Sequence, residues 1–207
     1  MQKIMFNDKY GLTAAVLAGT KTQTRRIVPP SALDAWNDID DGDEYSRSVY
    51  AGSYEAKMRN FLLDYSQYKV GEEVAVAQSY RHIYCQEPAE RLSEEYSMWF
   101  LKQKGLTDSK AWKNKMFVKS DFMPHRIRIE KVRVERLQDI SNEDCFAEGI
   151  VKYSDGVYTY IEGGKKYYHR ELDTPQKAYG VLINKINGLG TWMINPLVFV
   201  YDFKLVK

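Results

Sequence analysis

Gly19-Thr20-Lys21-Thr22-Gln23-Thr24-Arg25-Arg26 joins two kinds of periodicity, and its reading decides the fold. Before it, Asp8 to Ala18 puts Leu12, Ala15, Val16 and Ala18 near helical spacing, and Gly19 falls where a left-handed residue ends a helix. After it, Thr22 to Ile27 is β-branched and polar, so extension puts Thr22, Thr24 and Arg26 on one face and Gln23, Arg25 and Ile27 on the other. Lys21 occupies the turn, three positions before Thr24. A lysine amine beside a threonine hydroxyl can act as base and nucleophile when burial or a cationic neighbour lowers its pKa from about 10.4, and Arg25 and Arg26 could supply that field. The same residues also read as cations at a helix C-terminus, followed by an edge strand. Spacing leaves both readings open.

Working outward, Ile4 and Phe6 alternate in a first strand, and Ile27-Val28-Pro29-Pro30 ends the central one because proline cannot donate to a ladder. Residues 31–65 read as an insertion, with an acidic loop Asp38-Ile39-Asp40-Asp41-Gly42-Asp43-Glu44 and a helix from Tyr54 to Leu63. The aspartates lack the spacing of an EF-hand, so no metal or other cofactor is expected. Val70 to Tyr80 predicts a long strand with Val74, Val76, Gln78 and Tyr80 on one face. A buried Gln78 amide must be satisfied by backbone or meet a ligand. Glu87 to Gln103 predicts a helix within a second insertion at 86–112. Ile127 and Ile129 alternate, then Val132 and Val134 resume out of phase, which places a bulge near Glu130-Lys131. Ser141 caps a short helix whose C-terminal end carries Glu148, where an acid opposes the helix dipole and is either solvated or met by a cation. A hairpin about Asp155-Gly156, a helix opened by Thr174-Pro175 and closed by Gly188, and a final strand with Phe199, Tyr201, Phe203 and Leu205 complete the chain.

The 207 residues are 44% hydrophobic and 28% charged, an ordinary globular composition read here as a single domain. No apolar run reaches the roughly 18 residues of a membrane span, and Met1 to Phe6 is too short for a signal core, so the expectation is a cytoplasmic protein with no membrane partner. Cys85 and Cys145 read as free thiols, and three histidines give no metal-site spacing. The net charge of +2 hides a basic stretch, 110–136, with nine Lys or Arg against three acids, and an acidic one, 31–65, with three against eight. The basic strip suits a phosphate backbone, or is simply the wet face of a strand.

Gly19-x-Lys21-x-x-Thr24-x-Arg26 resembles the signature of the ASCH superfamily, a branch of the PUA-like β-barrels associated with RNA binding. Gly71-Glu72-Glu73-Val74 resembles the start of that family's next barrel strand. Met123-Pro124-His125-Arg126, Val132 to Ile140, Glu143-Asp144 and Ala147-Glu148-Gly149-Ile150 resemble its phage- and prophage-type members. Where many relatives have Val-Arg-Glu-x-Trp, this chain has Val76-Ala77-Gln78-Ser79-Tyr80. The resemblance implies an α+β fold, a PUA-like mixed β-barrel with flanking helices and helical insertions. It implies a cleft for RNA or a modified nucleoside, with Gly19, Arg25, Arg26, Gln78, Tyr80, His125 and Arg126 in substrate binding. Lys21, Thr24 and Glu148 align with the base, nucleophile and proton donor of the amidohydrolases that deacetylate N4-acetylcytidine. A binding module without turnover, contacting RNA through Arg25, Arg126, Arg128 and Arg133, is the rival expectation. A partner-binding role for the insertions is a third, and the oligomeric state is left open.

Overall fold

The computed structural model of the chain describes residues 1–40, 52–86, 110–167 and 170–206. Its framework is a five-stranded sheet organised on the C-terminal strand β9 (Leu197–Leu205), whose apolar sequence LVFVYDFKL suits burial on both faces. Antiparallel neighbours flank β9, β4 (Arg126–Arg136) on one side and β2 (Gln23–Ile27) on the other. Next to β4 runs β3 (Glu73–Val76), antiparallel, and beyond it β1 (Lys3–Ile4), parallel to β3. The order is therefore β1-β3-β4-β9-β2, and among the described residues no ladder joins β1 to β2. The α+β class agrees with the sequence. The register of β4 on β9 shifts between Ile129 and Lys131, the bulge that the broken alternation requires.

The opening octet folds as its periodicities dictate. Helix α1 (Leu12–Leu17) ends at Gly19, whose φ of 71° is the left-handed conformation, and Gly19 N–H donates to Val16 O at 2.9 Å while Thr20 N–H and Lys21 N–H donate to Ala15 O. Strand β2 follows at once. Its register puts Gln23 opposite Asp202 and Arg25 opposite Val200, while Thr24 faces Tyr201 and Arg26 faces Phe199.

Helix α2 (Pro30–Asp40) follows β2 closely, so Asp38 to Asp40 close a helix rather than open the predicted loop; positions 41–44, the rest of the acidic run, lie outside the described residues. Ser53 caps α3 (Tyr54–Asp64) by accepting from Ala56 N–H. Trp36 and Leu62 are fully buried in the same cluster as Tyr201 and Phe203, so these helices complete the main core. Each such side chain contributes on the order of 1.5–3 kcal/mol by burial.

The strand expected over 70–80 is shorter. β3 ends at Val76 because its partners end there: Val76 N–H donates to His125 O and Ala77 N–H to Ile4 O. Ser79 then accepts from His82 N–H and opens α4 (Tyr80–Gln86), so Gln78 and Tyr80 do not share a strand face. Tyr80 packs instead in a second cluster with Ile83, Trp112 of α5 (Lys110–Lys113), Phe122 and Met123. The helix expected over 87–103 lies outside the described residues.

Ser141 caps α6 (Asn142–Ala147), and its apolar contact comes from Cys145 and Ile150. Hairpins β5 (Val151–Ser154) with β6 (Val157–Thr159) and β7 (Ile161–Glu162) with β8 (Lys165–Lys166) follow. Thr174 caps α7 (Pro175–Asn187), which buries Ala178, Tyr179, Leu182 and Ile183. Gly180 on α7 lets the indole of Trp192, in α8 (Thr191–Ile194), lie against the helix backbone: a Cβ there would stand 3.0 Å from the ring.

Candidate functional site

Gly149 allows α6 to end against α1. With φ at +108°, a Cβ on it would approach Leu12 Cδ2 to 3.1 Å and Lys21 Cδ to 4.0 Å. The chain after α1 caps that helix end: Thr22 N–H donates to Ala147 O at 3.0 Å, and Lys21 Nζ donates to Glu148 O at 2.8 Å. Lys21 Nζ also donates to Gln23 O at 2.7 Å and to the Glu148 carboxylate at 2.6 Å. Three acceptors thus match the three N–H bonds of an ammonium, with Lys21 only 1% and Glu148 5% exposed. Burial pulls the Lys21 amine below the ordinary lysine value, Glu148 opposes that pull, and Arg26 and Arg25 add smaller contributions in the same direction as burial.

Glu148 is held from its other side by Arg25. Nη1 of Arg25 donates to Glu148 Oε1 at 3.2 Å and to the Gln23 amide oxygen, and Nη2 donates to Glu135 at 2.6 Å and Asp144 at 2.8 Å. Arg133 extends the lattice to Glu135, Asp144 and Asp202. Strand alternation explains the assembly. Gln23 and Arg25 on β2 lie opposite Asp202 and Val200, and Arg133 on β4 lies opposite that same Val200, so one sheet face carries the lattice beneath α6. The result fixes the carboxylate that the α6 dipole disfavours, and supplies the cations that its position calls for.

Beside this lattice is a cavity of about 450 Å³. Lys21, Thr24, Arg25, Arg26, Glu148 and Tyr179 form its polar lining, with Asp8 and Lys115, themselves ion-paired at 2.8 Å, also on its wall. Phe6 and Leu12 face it from one part of the fold, and Leu182, Ile183 and Ile186 of α7 from another. It lies at the free edges of the sheet, where Arg26 Nη2 reaches Met5 O at 2.6 Å, just past β1. The Lys21 amine and the Arg26 guanidinium both approach the Phe6 ring, at 5.9 and 5.8 Å from its centroid. Among the described residues the Thr24 hydroxyl makes no hydrogen bond, although Thr24 is only 5% exposed.

The structure brings Lys21, Thr24, Arg25, Arg26 and Glu148 to one cavity, and it separates the other expected residues from it. Gly19 stays at the exposed helix end; Gln78 and Tyr80 belong to the turn after β3 and to the second cluster; His125 and Arg126 lie at the start of β4. The Lys21 amine turns to Glu148 and Gln23 rather than to the Thr24 hydroxyl; its pKa is lowered as expected, by burial first, with Arg26 and Arg25 adding to it. The Nη1 and Nη2 groups of the wholly buried Arg25 side chain are taken by Gln23, Glu148, Glu135 and Asp144, so they are not available to a phosphate backbone. Sequence reasoning missed Tyr179, Asp8, Lys115 and the aliphatic wall of α7. Their only signal was one phenol within the apolar stripe of the Pro175 helix.

Among the described residues no cluster of His, Cys, Asp or Glu is placed to hold a metal ion, and no helix is long and apolar enough to cross a membrane. Comparison of the chain with protein-family models, curated proteins and solved structures returns no match.

Proposed function

We propose that the chain is an ASCH-superfamily protein whose PUA-like architecture holds a modified nucleoside in this cavity and hydrolyses an exocyclic amide, as in N4-acetylcytidine. The observation that carries the reading is a threonine with no hydrogen-bond partner for its hydroxyl among the described residues, lining the same cavity as a buried, ion-paired lysine and carboxylate. The helix–turn–strand setting of Gly19 to Arg26 supports the family resemblance, as does the approach of the two free sheet edges bridged by Arg26. The cavity has the size of a small-molecule site, with apolar walls that suit a flat ring and a polar floor that suits an amide.

The 2.6 Å contact gives the proton of the Lys21–Glu148 pair a short path between them. The Lys21 amine points to Gln23 and Glu148 in the ligand-free fold; in the proposed reaction it turns to Thr24 with the proton of the pair left on Glu148, and as a neutral amine accepts the Thr24 proton while the hydroxyl oxygen attacks the acyl carbon. Collapse breaks the C–N bond, and the cytidine nitrogen leaves with the proton from Glu148. Water then hydrolyses the Thr24 ester, releasing acetate and restoring the hydroxyl. RNA binding along β4 draws less support. Arg133 is bound to three carboxylates and Arg128 to Glu73.

Incubation with N4-acetylcytidine and chromatography of the products tests the reading. The wild type is expected to release cytidine. Thr24→Val is expected to lower the rate by more than about 10³-fold, with the thermal midpoint little changed, because the hydroxyl bonds to nothing among the described residues. No cytidine from the wild type, or undiminished release by Thr24→Val, refutes it.

A further inference from the structure

Two buried side-chain donors that meet no acceptor among the described residues, Arg25 Nε and Tyr179 OH, belong to residues that line this one cavity. Buried polar groups are nearly always paired, so two such groups in one wall call for a specific account. The rest of the Arg25 guanidinium is fully engaged by Gln23, Glu148, Glu135 and Asp144, which holds the group still and leaves Nε as its one open N–H. Tyr179 sits on α7 within the field of both Glu148 and Arg25 yet bonds to neither. Burial and the Glu148 charge hold its phenol well above the ordinary tyrosine value, so it stays protonated and serves as a donor across the neutral range.

We propose that the Tyr179 hydroxyl and the Arg25 Nε–H receive the acyl oxygen of the ligand and form the oxyanion site of the reaction. The inference rests on the hydrolytic reading above and deepens it. As Thr24 Oγ1 bonds to the acyl carbon, the C=O electron pair moves onto oxygen, which accepts from both donors. When the pair returns, the C–N bond breaks and the nitrogen takes its proton from Glu148. Both residues line the cavity, but the Tyr179 hydroxyl and Arg25 Nε are themselves shielded from it, so the contact requires the wall to shift as the acyl group enters. The ligand class follows from the geometry: a planar amide, with its oxygen towards Tyr179 and Arg25 and its nitrogen towards Glu148. Arg26, whose Nη2 is bound to Met5 O, then serves the edge of the site rather than the oxyanion.

Tyr179→Phe removes one oxygen and nothing else. It is measured for turnover of N4-acetylcytidine, for thermal midpoint without ligand, and for the midpoint shift given by cytidine and by N4-acetylcytidine. The inference expects a kcat lowered about 10²-fold or more with KM less affected, and a ligand-free midpoint equal to or above the wild type, because a buried hydroxyl with no partner among the described residues has been removed. Wild-type turnover with Tyr179→Phe within about 2-fold of it, or a lowered ligand-free midpoint, overturns this assignment and leaves the proposed reaction standing. Stabilisation of the wild type by N4-acetylcytidine that is lost in Tyr179→Phe, with no turnover by either, refutes the hydrolysis and upholds the contact. If neither nucleoside is hydrolysed or shifts the wild-type midpoint, both proposals fall.

Discussion

Glu148 shows how far a single residue could be read ahead of the structure. An acid at a helix C-terminus is unfavourable unless a cation meets it, and two do, Lys21 and Arg25. Lys21 and Thr24 were legible from spacing and resemblance, because both stand in one short motif. Tyr179 was not, since a phenol among Ala178, Leu182 and Ile183 reads as core. The commitment of Arg25 was hidden too: strand alternation assigns it a face, and only tertiary structure brings Glu135 and Asp144 to that face. Asp144 offers a pH test of this lattice. Burial raises its pKa, but hydrogen bonds from Arg25 and Gln23 outweigh burial and hold it below the usual carboxylate value. A depressed folded-state pKa means that its stabilisation is complete above the ordinary aspartate value of about 3.9 and is lost as pH falls through the folded value. Asp144→Asn is therefore expected to lower stability by about 1–3 kcal/mol at neutral pH, with the gap narrowing in acid. Urea denaturation at pH 7 and below pH 4 measures both.

At the scale of elements, the sequence announced the stop of α1 at Gly19, the bulge in β4 and the caps at Ser141 and Thr174, each set by local backbone chemistry. It overstated β3, where apolar alternation continues past Val76 after the partner strands have run out. Ser79, a helix cap inside that alternation, was the overlooked signal. The packing of α8 on α7 was invisible, since nothing local says that Gly180 faces an indole. Gly180→Ala places a methyl 3.0 Å from the Trp192 ring, and is expected to destabilise by about 1–3 kcal/mol, despite alanine being the better helix former. Thermal denaturation decides between the two effects, and a stabilised variant would show that the indole moves aside cheaply.

Over the whole molecule, the segment 31–65, read from the sequence as an insertion within a single domain, contributes to the packing: Trp36, Phe61 and Leu62 share one core with Tyr201 and Phe203. Excising 31–65 behind a short linker is accordingly expected to unfold the chain, since the burial lost rivals the 5–15 kcal/mol that typically stabilises a domain. Circular dichroism and amide dispersion of the deletion variant report this, and a cooperative melt would show the segment to be an appended piece. The same core places the cavity between the free edges of the sheet and α7, where the floor is fixed by ion pairs and the walls are apolar. A crystal structure with cytidine bound tests that placement most directly. The account predicts the base between Phe6 and the Leu182–Ile183 face of α7, with its exocyclic nitrogen towards Glu148. A base bound along β4, or in the cavity with that nitrogen turned away from Glu148, would contradict it.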